Sequence, residues 1–395
     1  MEFVKARLGD RSALPDLQWD IYCDMAAIGP LPRAALSATT EALERQSRHG
    51  VACMAPLFET VQETRRRLAT LLGVACDELA LTTSTSAGVS AISNGLSLKA
   101  SDTLLLFRGE FPTNVTPWQQ AAERSGAKIV WLDADDFASG RGLERLHALL
   151  AHTRVRLAAV SLVQFQTGLR MPVEAIAQAI HAQGGEVFVD AIQGLGIVPF
   201  DARSVDYVAA GCQKWLMGPP GTGVLWATRT AWDALHPRLA SWLSHQDPLS
   251  FLFAGPGLLT YDRPLTHGPP MVEGGTLPLS LLAGLGVSVS AHLELGISAI
   301  FDHVQRWHDA FEPGMTQLGF RSLRASDLHA RSGILAFDVP DHCSIYTLAT
   351  QLRERGISVS TPDHRLRFAP GWPNSLDEPE RVLTAVTDLV RGPRS

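Results

Sequence analysis

The sequence predicts an α/β protein: a large domain built on a mainly parallel central sheet, followed by a smaller α/β domain at the carboxyl end. Three observations carry that prediction. Val187-Phe188-Val189 and Tyr207–Ala210 are near-continuous apolar runs of strand length, the pattern of parallel strands buried on both faces. Each run leads into a charged group, Asp190 in the first and Lys214, after Gly211-Cys212-Gln213, in the second. Strand-like and helix-like stretches alternate through the region before them, which is the rhythm of βαβ units. Open parallel sheets bind ligands beyond the carboxyl ends of their strands, so an acid and an amine at neighbouring strand ends mark a candidate site.

Composition narrows the function classes. A chain of 395 residues exceeds one small core, and the expected division is an arm at 1–20, a large domain at 21–280 and a small domain at 281–395. With 34 basic and 40 acidic residues the net charge is −6, which argues against a nucleic-acid surface. The five cysteines, Cys23, Cys53, Cys76, Cys212 and Cys343, lack CxxC spacing, so neither a metal site nor a disulfide framework is expected. No apolar stretch approaches the roughly 20 residues of a membrane span. The amino-terminal residues lack the apolar core of a signal peptide, so a cytoplasmic location is expected.

In chain order, Tyr22–Pro32 (YCDMAAIGPLP) precedes a helix expected to start near Arg33. Leu57–Leu72 has helical periodicity, with Arg65, Arg66 and Arg67 read as a solvated face. Leu79–Leu81 reads as a strand and Ala87–Leu96 as a helix, joined by Thr82-Thr83-Ser84-Thr85-Ser86. A hydroxyl-rich turn opening a helix suits a phosphate, because the first backbone N–H groups have no intrahelical acceptor and the helix dipole favours an anion. Thr103–Phe107 is a strand leading into Gly109-Glu110-Phe111-Pro112-Thr113-Asn114. Arg156–Leu162 is another, followed by Gln164 and Gln166, and Ala175–Ala182 is the helix before the Asp190 strand. Gly218–Gly223 (GPPGTG) lacks the Lys-Ser/Thr of a phosphate-binding P-loop and reads as a turn behind Lys214. Helices are expected at Leu279–Leu295, Ile300–Leu318 and Ile345–Arg355, and strands at Gly333–Phe337 and Ile357–Ser360. Arg365-Leu366-Arg367 then offers two guanidiniums of equal strand parity, each able to fork onto a carboxylate.

An acid and an amine so placed match the needs of pyridoxal 5′-phosphate (PLP): the amine forms a Schiff base and the acid pairs with the pyridinium nitrogen. VDAIQ at Val189–Gln193, DYVAAGCQKW at Asp206–Trp215 and GPPGTGVLW at Gly218–Trp226 together resemble the aminotransferase class V group of fold-type I PLP enzymes. That group includes cysteine desulfurases, selenocysteine lyases and isopenicillin N epimerase-like proteins.

The resemblance implies roles residue by residue. Lys214 and Asp190 are the catalytic pair, with Thr85, Ser86 and Gln213 on the phosphate, Phe111 stacked on the ring and Gln193 at the phenolic oxygen. Gln164 or Gln166 matches a further amide of the group. Arg367 is the matched position for the substrate carboxylate, with Arg365 the alternative of equal parity, and Asn114 and Trp118 line the substrate pocket. Thr276, in Val272-Glu273-Gly274-Gly275-Thr276, reaches the partner's site in a homodimer. Where desulfurases carry a proton-shuttling His, this chain has Phe111, which stacks but carries no proton. The loop Phe368–Ser375 has no cysteine and Cys343 lies well upstream, so persulfide-forming chemistry is disfavoured while β-elimination, which needs no thiol, remains. The activity expected first is an aminotransferase working through a Lys214 Schiff base and a quinonoid carbanion. The alternatives are a C–S or other C–X lyase, an amino-acid epimerase and, from another class, a non-catalytic PLP-fold sensor or scaffold.

Overall fold

The computed structural model describes residues 5–391. The strands, in chain order, are β1 (Ile21–Tyr22), β2 (Leu79–Thr82), β3 (Thr103–Arg108), β4 (Lys128–Asp133), β5 (Leu157–Ser161) and β6 (Glu186–Asp190). They continue with β7 (Tyr207–Gly211), β8 (Gly223–Ala227), β9 (Arg321–Ser322), β10 (Leu335–Asp338), β11 (Ile357–Ser358) and β12 (Leu366–Phe368). Seven of them form the central sheet in the order β2-β8-β7-β6-β5-β3-β4. Only β8 runs against its neighbours, and the ladders from β7 across to β4 are all parallel. Alternation along the strands explains their unbroken apolar character. Val187, Val189, Val208 and Ala210 enter one apolar cluster, and Phe188, Tyr207 and Ala209 enter another on the opposite face.

The helix Thr85–Gly95 lies on the second face, with Val89 and Ile92 in its cluster. Its Gly88 passes so close to β7 that an added Cβ would come 2.8 Å from the Cβ of Ala209. This helix begins two residues earlier than the apolar pattern suggests. The reason is that Ser84 is the N-cap, its hydroxyl accepting from the Ala87 amide at 3.1 Å.

The C-terminal part holds a three-stranded antiparallel sheet in the order β12-β10-β9. Its own apolar cluster contains Trp307, Phe311, Phe320, Phe337, Phe368 and Val382. Strand β1 pairs parallel with β11, and Asp24 bridges Ala369, so the Tyr22–Gly29 stretch is carried to the strand that holds Arg367. Two-residue strands paired across more than 300 residues leave no periodic trace in sequence. Strand β4 was also not anticipated, because it is an edge strand with an exposed Lys128 and four half-buried residues among its six. Strand β8 begins at Gly223, the last residue of the glycine-rich turn motif, and continues to Ala227.

One reading is corrected. Arg65 is not part of a solvated face: it is buried, donates to the Leu79 carbonyl at 2.6 Å and pairs with Glu273, while Arg66 and Arg67 pair with Glu63 on the surface. Successive helical residues turn by about 100°, so three consecutive arginines cannot share one face. Among the described residues no single helix is long and apolar enough to cross a membrane.

Candidate active site at the carboxyl ends of the central strands

A cavity of about 450 Å³ opens where the carboxyl ends of β2, β3, β5, β6 and β7 meet the C-terminal part. That lies within the range of small-molecule sites. Ser84, Thr85 and Ser86 line it after β2, Phe111 and Thr113 after β3, and Ser161, Val163 and Phe165 at the end of β5. Asp190, Ile192 and Gln193 follow β6, and Gln213 and Lys214 follow β7. Ala26, Ala27, Pro362 and Arg367 close the far wall. A cleft of about 480 Å³ elsewhere, among the helices Arg33–His49, Met54–Leu72 and Leu279–Leu295, carries mixed surface charges and no comparable group of chemical side chains.

Asp190 is 2% exposed, and Oδ1 accepts from the Ile192 amide at 3.0 Å. Burial pushes its carboxyl up to about 7, and the nearby Glu110 charge adds to this while the Ile192 amide and Lys214 oppose it. Burial also lowers the Lys214 amine to about 8, with Arg367 adding to the shift and Asp190 and Asp24 opposing it. Among the described residues Lys214 makes no ion pair within 4 Å. An acid short of a cation and an amine held near neutrality fit a protonated pyridine and an aldehyde. The turn that shapes Lys214 is tight: Met217 donates back to the Lys214 carbonyl at 2.9 Å with φ of 52°.

At the helix start, Thr85 Oγ1 accepts from the Gly211 amide at 2.8 Å, tying the helix to the end of β7 and leaving its hydroxyl proton free. Ser86 Oγ lies 3.0 Å from Thr113 Oγ1. These hydroxyls and the first helical N–H groups form a neutral anion cradle. Phe111 is 49% exposed at the pocket mouth and packs edge-to-face on Phe165 at 5.3 Å. Gln193 donates to the Ala26 carbonyl and accepts from Trp215 Nε1, each at 3.0 Å, which leaves one amide proton unused.

Arg367 is 4% exposed. Nε donates to Ser360 Oγ at 3.0 Å, Nη1 donates to the Phe165 carbonyl at 2.7 Å, and Nη2 lies 3.7 Å from Asp24 Oδ1. Arg365 instead pairs with Asp338 at 3.1 Å, outside the pocket.

Asn114, Trp118 and the pair Gln164 and Gln166 are not brought to the pocket. Asn114 is fully buried, with Nδ2 on Glu110 and Oδ1 on Trp118 Nε1, and does not line the cavity; Trp118 is likewise buried behind the wall. Gln164 donates to Glu110 and Gln166 to Asp363, and neither lines the cavity. Thr276 is exposed and does not line the pocket of its own chain. Sequence reasoning missed Asp24 and Glu110. Each sits inside a quoted motif, but only the long-range contacts show what it touches.

The aminotransferase class-V family model matches residues 21–368, and the chain belongs to that family of fold-type I enzymes, whose cofactor is PLP. A probable cysteine desulfurase of Pyrococcus abyssi is 26% identical over 98% of this chain and 98% of the relative. One of Xylella fastidiosa is 30% identical over 71% of this chain and 66% of the relative. Among solved structures, a lysine-to-alanine mutant of C-DES with glycine covalently linked to PLP superposes with a TM-score of 0.87 at 23% identity, covering 96% of this chain and 99% of that one. The apo cysteine desulfurase of Thermococcus onnurineus NA1 gives 0.83 at 23% identity, covering 94% and 95%. At that identity the superpositions speak for the fold.

Proposed function

We propose that this PLP-dependent enzyme takes the Cα proton from a small α-amino acid with Lys214 and then releases a sulfur substituent from Cβ. The observation that carries the reading is the meeting of Lys214, Asp190 and Arg367 in one pocket lined by no cysteine. When bound, PLP supplies an electron-withdrawing ring that spreads the negative charge left at Cα. Lys214 would hold it covalently, Asp190 would face its ring nitrogen, and Thr85, Ser86 and Gln213 would hold its phosphate. Phe111 would cover the ring face, and Gln193 would use its spare amide proton on the phenolic oxygen.

The substrate carboxylate docks on the unused donors of Arg367, a buried guanidinium whose fork suits it. Lys214 then removes the Cα proton; burial keeps its free amine available near pH 8. Loss of the Cβ–S bond expels the sulfur, which leaves as a thiol with the proton that Lys214 took from Cα, and water hydrolyses the released enamine to pyruvate and ammonia. Relatives named cysteine desulfurase support a sulfur amino acid as substrate. The pocket's lack of a thiol argues for elimination over persulfide transfer on the protein.

Transamination is the second reading, and Phe111 favours it. That side chain gives no proton to a leaving sulfur, whereas transamination would ask for no acid beyond Lys214, which would give back the proton it takes from Cα. Product analysis separates the two. Pyruvate and ammonia from a β-substituted alanine mean elimination, while an enzyme that stops after one turnover until a keto acid is added means transamination. The exposed Thr276 belongs, in this reading, to the phosphate site of a second copy. Mixing Lys214→Ala with Thr276→Ala protein should then restore one working site per mixed dimer, and no recovery would count against shared sites.

A further inference from the structure

The geometry points to Glu110 as a positioning residue: an inward-turned carboxylate that gathers the ends of β3 and β5 behind the pocket and sets a second negative charge behind Asp190. Its consequence for cofactor binding rests on the PLP reading above. Glu110 Oε1 accepts from the Ser161 amide at 2.7 Å and from Gln164 Nε2 at 3.1 Å. Oε2 accepts from the Ser161 hydroxyl and from Asn114 Nδ2 at 3.3 Å. An ionised carboxylate has about four acceptor positions, and four uncharged donors fill them. The clamp therefore orders three pieces of wall at once: the last residue of β5, the loop after it, and the short turn behind Phe111.

The same clamp places charge. Ser161 is the register partner of Asp190 in the β5–β6 ladder, so Glu110 stands one strand away from Asp190. The Glu110 and Lys214 charges act on Asp190 with opposite sign, and Arg367 and Asp24 act on Lys214 with opposite sign. Three carboxylates, Asp190, Glu110 and Asp24, against Lys214 and Arg367 form a site that is short of a cation. A protonated ring nitrogen provides that cation, and Glu110 thus strengthens the hold of Asp190 on it without touching it.

The test needs no cofactor. Loss of water raises the Glu110 carboxyl, against the pull of its hydrogen bonds, and burial raises Asp190 to about 7. A folded carboxyl raised above its unfolded value contributes stability at low pH that is lost as pH climbs through the folded value. The full chain, stripped of PLP, carries this fall between pH 5 and pH 8 against the opposite slope of buried His292, His303 and His308, whose imidazoles burial lowers, so the readout is the melting-temperature difference between wild type and Glu110→Gln at each pH. Glu110→Gln keeps the shape but not the charge. It should cost stability at pH 5, where its amide meets the Asn114 amide, yet shrink the pH-dependent fall, the part due to burial of Asp190 remaining.

Curves for wild type and Glu110→Gln that run parallel would overturn the proposal, since a purely structural role shifts every pH alike. Should that variant not fold, Ser161→Ala removes one hydroxyl donor, raises Glu110 further and moves the midpoint of the fall upward. A midpoint that stays put would overturn it equally. Reloading wild type with PLP should then flatten the curve, and failure of that step alone counts against the PLP reading, not against Glu110.

Discussion

Arg367 Nη1 donates to the carbonyl oxygen of Phe165 at 2.7 Å, joining two residues 202 positions apart. The strand that carries the guanidinium belongs to the C-terminal sheet, and the loop that anchors it follows β5 of the central one. Anchored at Nε and Nη1, the fork has its remaining donors left for a substrate carboxylate. Arg367→Ala should therefore cost kcat/KM roughly 30-fold to several-thousand-fold, the scale of about 2–5 kcal/mol for losing one partner of a buried charge pair. Most of the change should fall on KM for amino acids. Arg367→Lys should recover little, because an ammonium offers no fork. An amine lacking the carboxylate is the control: if Arg367→Ala slows it as much as the amino acid, the carboxylate assignment fails.

Lys214 sets the second prediction, through pH. Only its neutral amine can condense with an aldehyde, and burial lowers it to about 8. The rate at which cofactor-free protein captures PLP should rise about tenfold per pH unit below 8 and level off above it. The stability contribution has the same direction. A lysine lowered in the folded state binds fewer protons than the unfolded chain between about 8 and 10.5, so this group favours folding as pH rises across that window. Stopped-flow absorbance of PLP uptake reads the first effect. A rate still climbing past pH 10 would indicate an ordinary solvated lysine.

A third prediction concerns the ion pair that the arginine run concealed. Glu273 accepts from Arg65 Nη2 at 3.1 Å and from the Leu81 amide at 2.8 Å, tying the segment before Thr276 to β2. Glu273→Ala strands a buried guanidinium and should destabilise by about 3 kcal/mol or more. Changing both partners to apolar residues, Arg65→Met with Glu273→Leu, should recover much of that loss. Denaturant melts of the single and double variants read the coupling, and additive losses would mean that the pair does not act as a unit.

Sequence reading reached the parts of the molecule that rest on local pattern. The runs leading to Asp190 and Lys214 were legible because each strand buries both faces, and the hydroxyl turn because it sits between a strand and a helix. Arg367 was legible only through resemblance, since Arg365 shares its parity; the contact of Arg365 with Asp338 separates the two in space. Asn114 was assigned to the substrate through resemblance, yet its amide is turned to Glu110 and Trp118 and buried behind the pocket wall. Neither Asp24 nor Glu110 stood out, because what defines them is contact with residues far along the chain.

The last prediction tests how closely the amino-terminal stretch is fitted to the lysine turn. The Gly29 amide donates to the Gln213 carbonyl at 2.8 Å, and a Cβ on Gly29 would lie 2.2 Å from the Lys214 carbonyl oxygen and 2.8 Å from Met217 Cγ. The first contact is with backbone, which cannot swing aside as a side chain does. Met217 already holds a φ of 52°, so the turn has little room to yield. Gly29→Ala should therefore destabilise by about 1–3 kcal/mol, the range for overpacking a tight site. Because the displaced atom belongs to Lys214, the variant should also capture PLP more slowly at a pH where its fold is intact. Ile28→Ala is the matched control: Ile28 is 46% exposed, and its loss should leave capture unchanged. If Gly29→Ala loses stability but captures PLP at the wild-type rate, the lysine turn is positioned independently of this stretch, and the close approach is packing alone.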